Sequence, residues 1–201
     1  MKFKISVLIT LVAVVLFSCK ESVKEEKKET KVALPQEQLQ AKITMIGDSV
    51  QASWLFMMEA DDQKIMFVKR LLDEISYTKK FDIVAHAKLV EKCKMLKSKR
   101  FDEDDMSNSV LIDTYDAATD SLLREVKALV MATPNVESYP LCGQLLTDIS
   151  ALDNDVVMHR VKYDHWVMEF NKVLDERQDE IKTLGEPYSN LQKKSTFQLP
   201  E

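Results

Sequence analysis

Glycine is almost missing from this chain: Gly47, Gly143 and Gly185 are the only three in 201 residues. Phosphate-cradling loops, dinucleotide-binding fingerprints and β-sandwich turns place glycine where the backbone turns tightly or approaches a ligand, so this scarcity excludes them. Proline is absent between Pro35 and Pro134, which leaves a long stretch free to be helical. Histidine is limited to His86, His159 and His165. They are too scattered for metal-ligand spacing, and the last two, six apart, point to different faces of a helix. Calcium loops are missing as well, because the acidic clusters at Asp102 to Asp105 and at Asp153 and Asp155 lack the glycine and closing glutamate that an EF-hand requires. No basic stripe stands out and the net charge is −5, which argues against a nucleic-acid partner. No serine or cysteine nucleophile has a recognisable base beside it. No catalytic residue, metal set or cofactor site is therefore assigned, and the expectation is a protein that is not an enzyme.

The three cysteines are Cys19, Cys93 and Cys142, and none belongs to a CxxC pair. In an oxidising compartment Cys93 and Cys142 would be bridged if adjacent; as small apolar side chains they equally suit separate buried positions, which is the reading preferred here.

What the chain does have begins at its N-terminus. Residues 1–4 (MKFK) are basic, and residues 5–18 (ISVLITLVAVVLFS) are uncharged and mostly apolar up to Cys19. As a helix this run would reach roughly 21 Å, short of the roughly 30 Å of a bilayer core, so it reads as a signal peptide rather than a span. Leu16-Phe17-Ser18-Cys19 resembles a lipobox, with Phe17 bulkier than usual. Cys19 is thus the expected lipid-attachment residue, and several acyl chains would anchor the protein durably. The tract from Lys20 to Lys31 is charged and poor in large apolar residues, so residues 19–35 are expected to form a flexible tether. Export to a bacterial envelope follows, with outer-membrane placement favoured and the membrane face left open.

Beyond Pro35 apolar residues recur at intervals of three and four, which predicts an all-α fold. One helix carries Val50, Trp54, Met57, Ile65, Val68, Leu72 and Ile75 on one stripe and ends near Tyr77. A second runs from about Phe81 to Leu96 with Val84, Leu89 and Cys93 inward. A third, capped by Ser107 or Asn108, has Leu111, Tyr115, Ala118, Leu122, Val126 and Leu129 on its stripe. The fourth, capped by Ser138, has Leu141, Leu145, Ile149, Leu152, Val156, His159, Tyr163, Val167, Phe170 and Leu174. If unbroken to Lys182 the last helix would be roughly 65 Å long, which predicts an elongated antiparallel bundle of about four helices over residues 36–184, with 185–201 as a tail. Asn154, Arg160 and Asn171 lie close to the last stripe and are candidate polar residues that set helix register or meet a partner. Trp166, four before Phe170, reads as core, or with Trp54 and Tyr163 as the lining of a groove.

Two blocks of residues carry a resemblance. Val50, Trp54 and Phe67-Val68-Lys69-Arg70-Leu71-Leu72-Asp73-Glu74-Ile75 form the first. Pro134-Asn135-Val136, Leu145, Ile149, Asp153-Asn154, Val156, Arg160, Tyr163-Asp164, Val167 and Phe170-Asn171 form the second. From about Gln40 to Leu174 the chain is similar to the LemA family in these positions. It departs from the family pattern at Lys69, which replaces a proline, at Gln63 and Lys64, which replace paired arginines, and at Asp155, which replaces an arginine. The resemblance implies a membrane-attached, largely helical, extracytoplasmic domain with no established reaction. The leading functional expectation is a non-catalytic scaffold or interaction module that meets an envelope protein or itself. The alternative is a carrier of a small molecule or metal in a pocket between helices near Trp166 and Tyr163.

Overall fold

The computed structural model describes residues 33–197; the expected signal segment, Cys19 and the charged tract lie outside the described residues. The first helix, α1 (Gln36–Tyr77), starts directly after Pro35 and runs for 42 residues without a break. At its far end the Thr78 N–H turns back to the Ile75 carbonyl and Lys79 takes a positive φ of 60°. Asp82 then caps α2 (Ile83–Leu96), accepting the N–H groups of Val84 and Ala85 at 3.0 and 2.9 Å. Two short 3-10 turns follow, Lys97–Lys99 and Glu103–Ser107, the second held by reciprocal capping between Asp102 and Asp105. The third helix, α3 (Ser109–Ala132), leads through Asn135, which sits in the left-handed region at φ 57°, and a 3-10 turn at Val136–Ser138. The fourth, α4 (Pro140–Glu176), has proline in its first turn, where the missing N–H is not needed. A six-residue helix, α5 (Gln178–Thr183), and a 3-10 turn at Tyr188–Asn190 follow, and residues 191–197 continue as a tail outside helix and strand that leaves the turn in extended backbone at Leu191. Among the described residues there is no strand, and the fold is all-α.

Pairs of contacting residues define the topology. Trp54 meets Tyr163, Lys64 meets Asp153 and the Tyr77 carbonyl meets Tyr139, so α1 and α4 are antiparallel along most of their length. On the second half of α1 lies α2, also antiparallel, with His86 on the Leu72 carbonyl and Cys93 by Ile65. Next to α2 runs α3, joined through Lys92 and Glu125, and α3 is tied to α4 through Asp116 and Arg160. At 1.5 Å per residue α1 is about 63 Å long and α4 about 55 Å. The shorter α2 and α3 cover one end of this hairpin, while α5 and the tail pack along the other.

Much of the core is the seam predicted by periodicity, and Leu39, Ile43, Ile46, Leu71 and Phe101 join it from outside the predicted stripes. Val68, Leu71, Ile75 and Val167 are fully buried, and Val50, Trp54, Met57, Leu122, Val126, Leu145, Ile149, Val156, Tyr163 and Phe170 join them in one cluster. Each such aliphatic side chain contributes about 1.5–3 kcal/mol relative to exposure. Several expectations are corrected. Val84 is 80% exposed, because five residues of helix from Leu89 carry it to the opposite face. Leu111 and Leu141 are also exposed, because the adjacent Ile112 and Cys142 take the inward positions of those first turns. The Ser138 side chain caps nothing, since the 3-10 turn ends there and Tyr139 holds the cap position. The last helix breaks at Arg177 instead of running to Lys182. Finally, the tail segment from Gly185 folds back onto the bundle as far as Phe197.

Candidate functional site

Two side-chain clusters lie at the middle of the α1–α4 hairpin. In the first, Asp61 and Lys64 share the buried stripe of α1 with Met57 and Val68, and they are 4% and 2% exposed. Lys64 Nζ lies 3.1 Å from Asp61 Oδ1 and 3.0 Å from Asp153 Oδ1 on α4. Tyr115 on α3 donates its hydroxyl to Asp61, and Arg100 places Nη2 3.4 Å from the same carboxylate while donating to the Met58 carbonyl at 2.8 Å. Arg160 on α4 forms a two-pronged pair with Asp116 on α3, at 2.6 and 2.7 Å. Burial, and then the Asp61 charge, push the Tyr115 phenol far above its ordinary value. For Arg160 burial works against the charge, but the hydrogen bonds and charge of Asp116 outweigh it and the guanidinium is held more firmly protonated. These are mutually neutralised charges that tie α1, α3, α4 and the loop after α2 in one register. The cavity among Asp61, Arg100, Tyr115 and Arg160 has a volume of about 10 Å³, room for no more than a single water.

The second cluster is aromatic. Trp54, Phe101, Tyr163 and Phe197 meet with ring centroids 5.5 to 6.2 Å apart. The Arg160 guanidinium lies 4.8 Å from the centre of the Phe197 ring. The Phe197 N–H donates to Asp164 Oδ1 at 2.7 Å, and Asn171 both donates to the Lys194 carbonyl at 2.8 Å and accepts from its N–H at 2.9 Å. Lys194 Nζ reaches Glu103 at 2.6 Å. Burial raises the Asp164 carboxyl pKa, against the opposing pull of the Phe197 N–H and Arg160. Tyr163 is pushed up by burial and by Glu103.

The residues singled out from sequence are distributed unequally over these clusters. Arg160 and Asn171 both hold polar partners, the first on α3 and the second on the tail. Asn154 is exposed. Trp54 and Tyr163 are packed ring to ring and the space beside them is filled by Phe197, whereas Trp166 is half-buried with its ring against His165, 5.1 Å away. The three rings thus do not line a shared groove. Sequence reading missed Asp61, Arg100 and Phe197, and it named Lys64, Tyr115 and Asp164 without giving them a polar role in the core. The spacing of Asp61 and Lys64 on the α1 stripe was a usable signal. Phe197 carried none, because a segment outside any helix has no helical period.

His86 engages the Leu72 carbonyl at 2.9 Å, His159 stacks on Phe56 and His165 is exposed. Among the described residues no group of three potential ligands is placed to hold a metal ion, and no helix is long and apolar enough to cross a membrane. Cys93 and Cys142 are buried free thiols, each pKa raised by burial.

One end of the bundle has a different character. Val84, Met131, Ile83 and Tyr77 are 80, 76, 71 and 63% exposed, and they stand where α1 and α3 end and α2 begins. Lys79, Lys80 and Lys88 lie close by, and the chain continues basic from there along α2 to Arg100, away from this end, with eight basic residues from Lys79 to Arg100 against Asp82 and Glu91.

The fold and these clusters define a class, an all-α protein built on a long antiparallel hairpin with a shorter helical pair on one end. Compared with known proteins, the chain matches no family model, no curated protein and no solved structure.

Proposed function

We propose that the protein is a non-catalytic, lipid-anchored interaction module of a bacterial envelope, LemA-like in its helical domain, with Cys19 as the acylated residue. Four support the anchoring part: the basic start, the short apolar run, the lipobox-like Leu16-Phe17-Ser18-Cys19 and the charged tract after it. The observation that carries the interaction part is the apolar tip formed by Tyr77, Ile83, Val84 and Met131. Large apolar side chains gathered at that exposure are the usual mark of a surface that another molecule covers. With Lys79, Lys80 and Lys88 around it, the tip suits a protein partner with an apolar centre and an acidic rim.

The test is in-cell crosslinking of the wild type and of an Ile83→Asp, Val84→Asp variant, with radiolabelled palmitate in the same cells. Both residues are exposed, so the variant is expected to keep its thermal stability. The expected result is a reproducible crosslinked protein that the variant loses, and label in wild type that Cys19→Ser abolishes. Unchanged crosslinks would overturn the tip as the contact surface, and absence of label would overturn the anchor.

A further inference from the structure

The segment Leu191–Phe197 is held in a way that differs from the rest of the core. No helix or sheet ladder carries its main chain. Side chains of α4 do so instead: Asn171 pairs with both the N–H and the carbonyl of Lys194, and Asp164 accepts the Phe197 N–H. The spacing is matched. Asn171 and Asp164 are seven residues apart on α4, about 10.5 Å, and three residues of extended chain from Lys194 to Phe197 span about 10 Å. Two side chains of the segment are read as well. Phe197 fills the corner between Trp54, Phe101 and Tyr163 beneath the Arg160 guanidinium, and Lys194 pairs with Glu103.

Contacts of this kind are transferable, because main-chain hydrogen bonds accept any extended segment and specificity rests on two positions. We infer that this face of α4 is a peptide-docking groove for an extended segment of a protein partner bearing a basic residue three positions before an aromatic one, and that the chain's own tail occupies it until displaced. The inference deepens the interaction-module reading and rests on it, but uses a face distinct from the tip. The tail, being tethered, competes at an effective concentration in the millimolar range. A partner segment therefore binds the intact chain weakly and the opened groove well.

The probe is a fluorescent peptide with the sequence of residues 189–201, followed by anisotropy. The full chain in detergent is compared with its Phe197→Ala variant and with a chain stopped after Asn190. Circular dichroism reports whether each is folded. Opening the groove is expected to tighten peptide binding at least tenfold in both, and Asn171→Ala in the opened chain to reverse that gain. A peptide carrying alanine in place of the phenylalanine is expected to bind at least tenfold more weakly. Equal binding to intact and Phe197→Ala chains would overturn the inference, as would indifference to the peptide's phenylalanine. If the shortened chain does not fold, the Phe197→Ala comparison decides alone. Palmitate labelling and tip crosslinks are independent of this result, so failure of the groove and failure of the module reading are distinguishable.

Discussion

Asp164 is the residue at which pH acts most directly on the tail. Burial raises its carboxyl pKa, and the Phe197 N–H and Arg160 only partly oppose this. Since the folded value lies above the unfolded one, the group's contribution to stability is complete below the unfolded pKa and is lost as pH rises through the folded one. Asp164→Asn keeps a carbonyl acceptor for the Phe197 N–H and cannot ionise. The melting temperature of that variant relative to wild type is expected to rise as pH increases above about 4, the ordinary carboxyl value. A gap that narrows over this range contradicts the assignment. Lys64 shows the opposite management of a buried charge: at 2% exposure its ammonium lies between two carboxylates, one from its own helix and one from α4. Such a pair adds little net stability, but it penalises any shift of α1 against α4 that would leave a charge unpaired.

At the scale of elements, the caps separate what composition signals from what geometry delivers. Asp82 satisfies two N–H groups at the start of α2, whereas Asn108, a suitable residue type in the corresponding place before α3, makes no such bond. Asp82→Ala is expected to destabilise the protein by about 1 kcal/mol, and Asn108→Ala by a few tenths at most; urea unfolding of the two variants side by side measures the difference. Equal losses would mean that the cap geometry is misassigned. The stripe of α4 was readable because a helix facing a long partner must be apolar every three or four residues, and Leu145 to Phe170 follow that rule. Leu141 and Leu111 were assigned to the stripe without burial, since the next residue in each first turn, Cys142 and Ile112, takes the inward position instead. The break at Arg177 had no proline or glycine to announce it.

For the whole molecule, the two inner cysteines show how topology overrules composition. Cys93 lies against the Ile65 carbonyl and Cys142 within the influence of Glu74. These levels on α1 are nine residues, or about 13.5 Å, apart, beyond the roughly 7 Å between α-carbons that a disulfide tolerates. Reductant is therefore expected to leave the melting temperature of the described domain unchanged, whereas a bridge would lower it by several degrees on reduction. Thermal melts with and without dithiothreitol provide the check.

By itself the sequence determined the helical class, the end of α1 near Tyr77 and the buried seam of α4 from Leu145 to Phe170, because helix propensity and a period of 3.6 residues are local properties written into spacing. The tertiary structure decided which charges are buried together, where the exposed apolar tip lies and that Phe197 returns to Trp54 and Tyr163. Those outcomes depend on residues far apart in the chain coming within contact distance, and no local pattern encodes that.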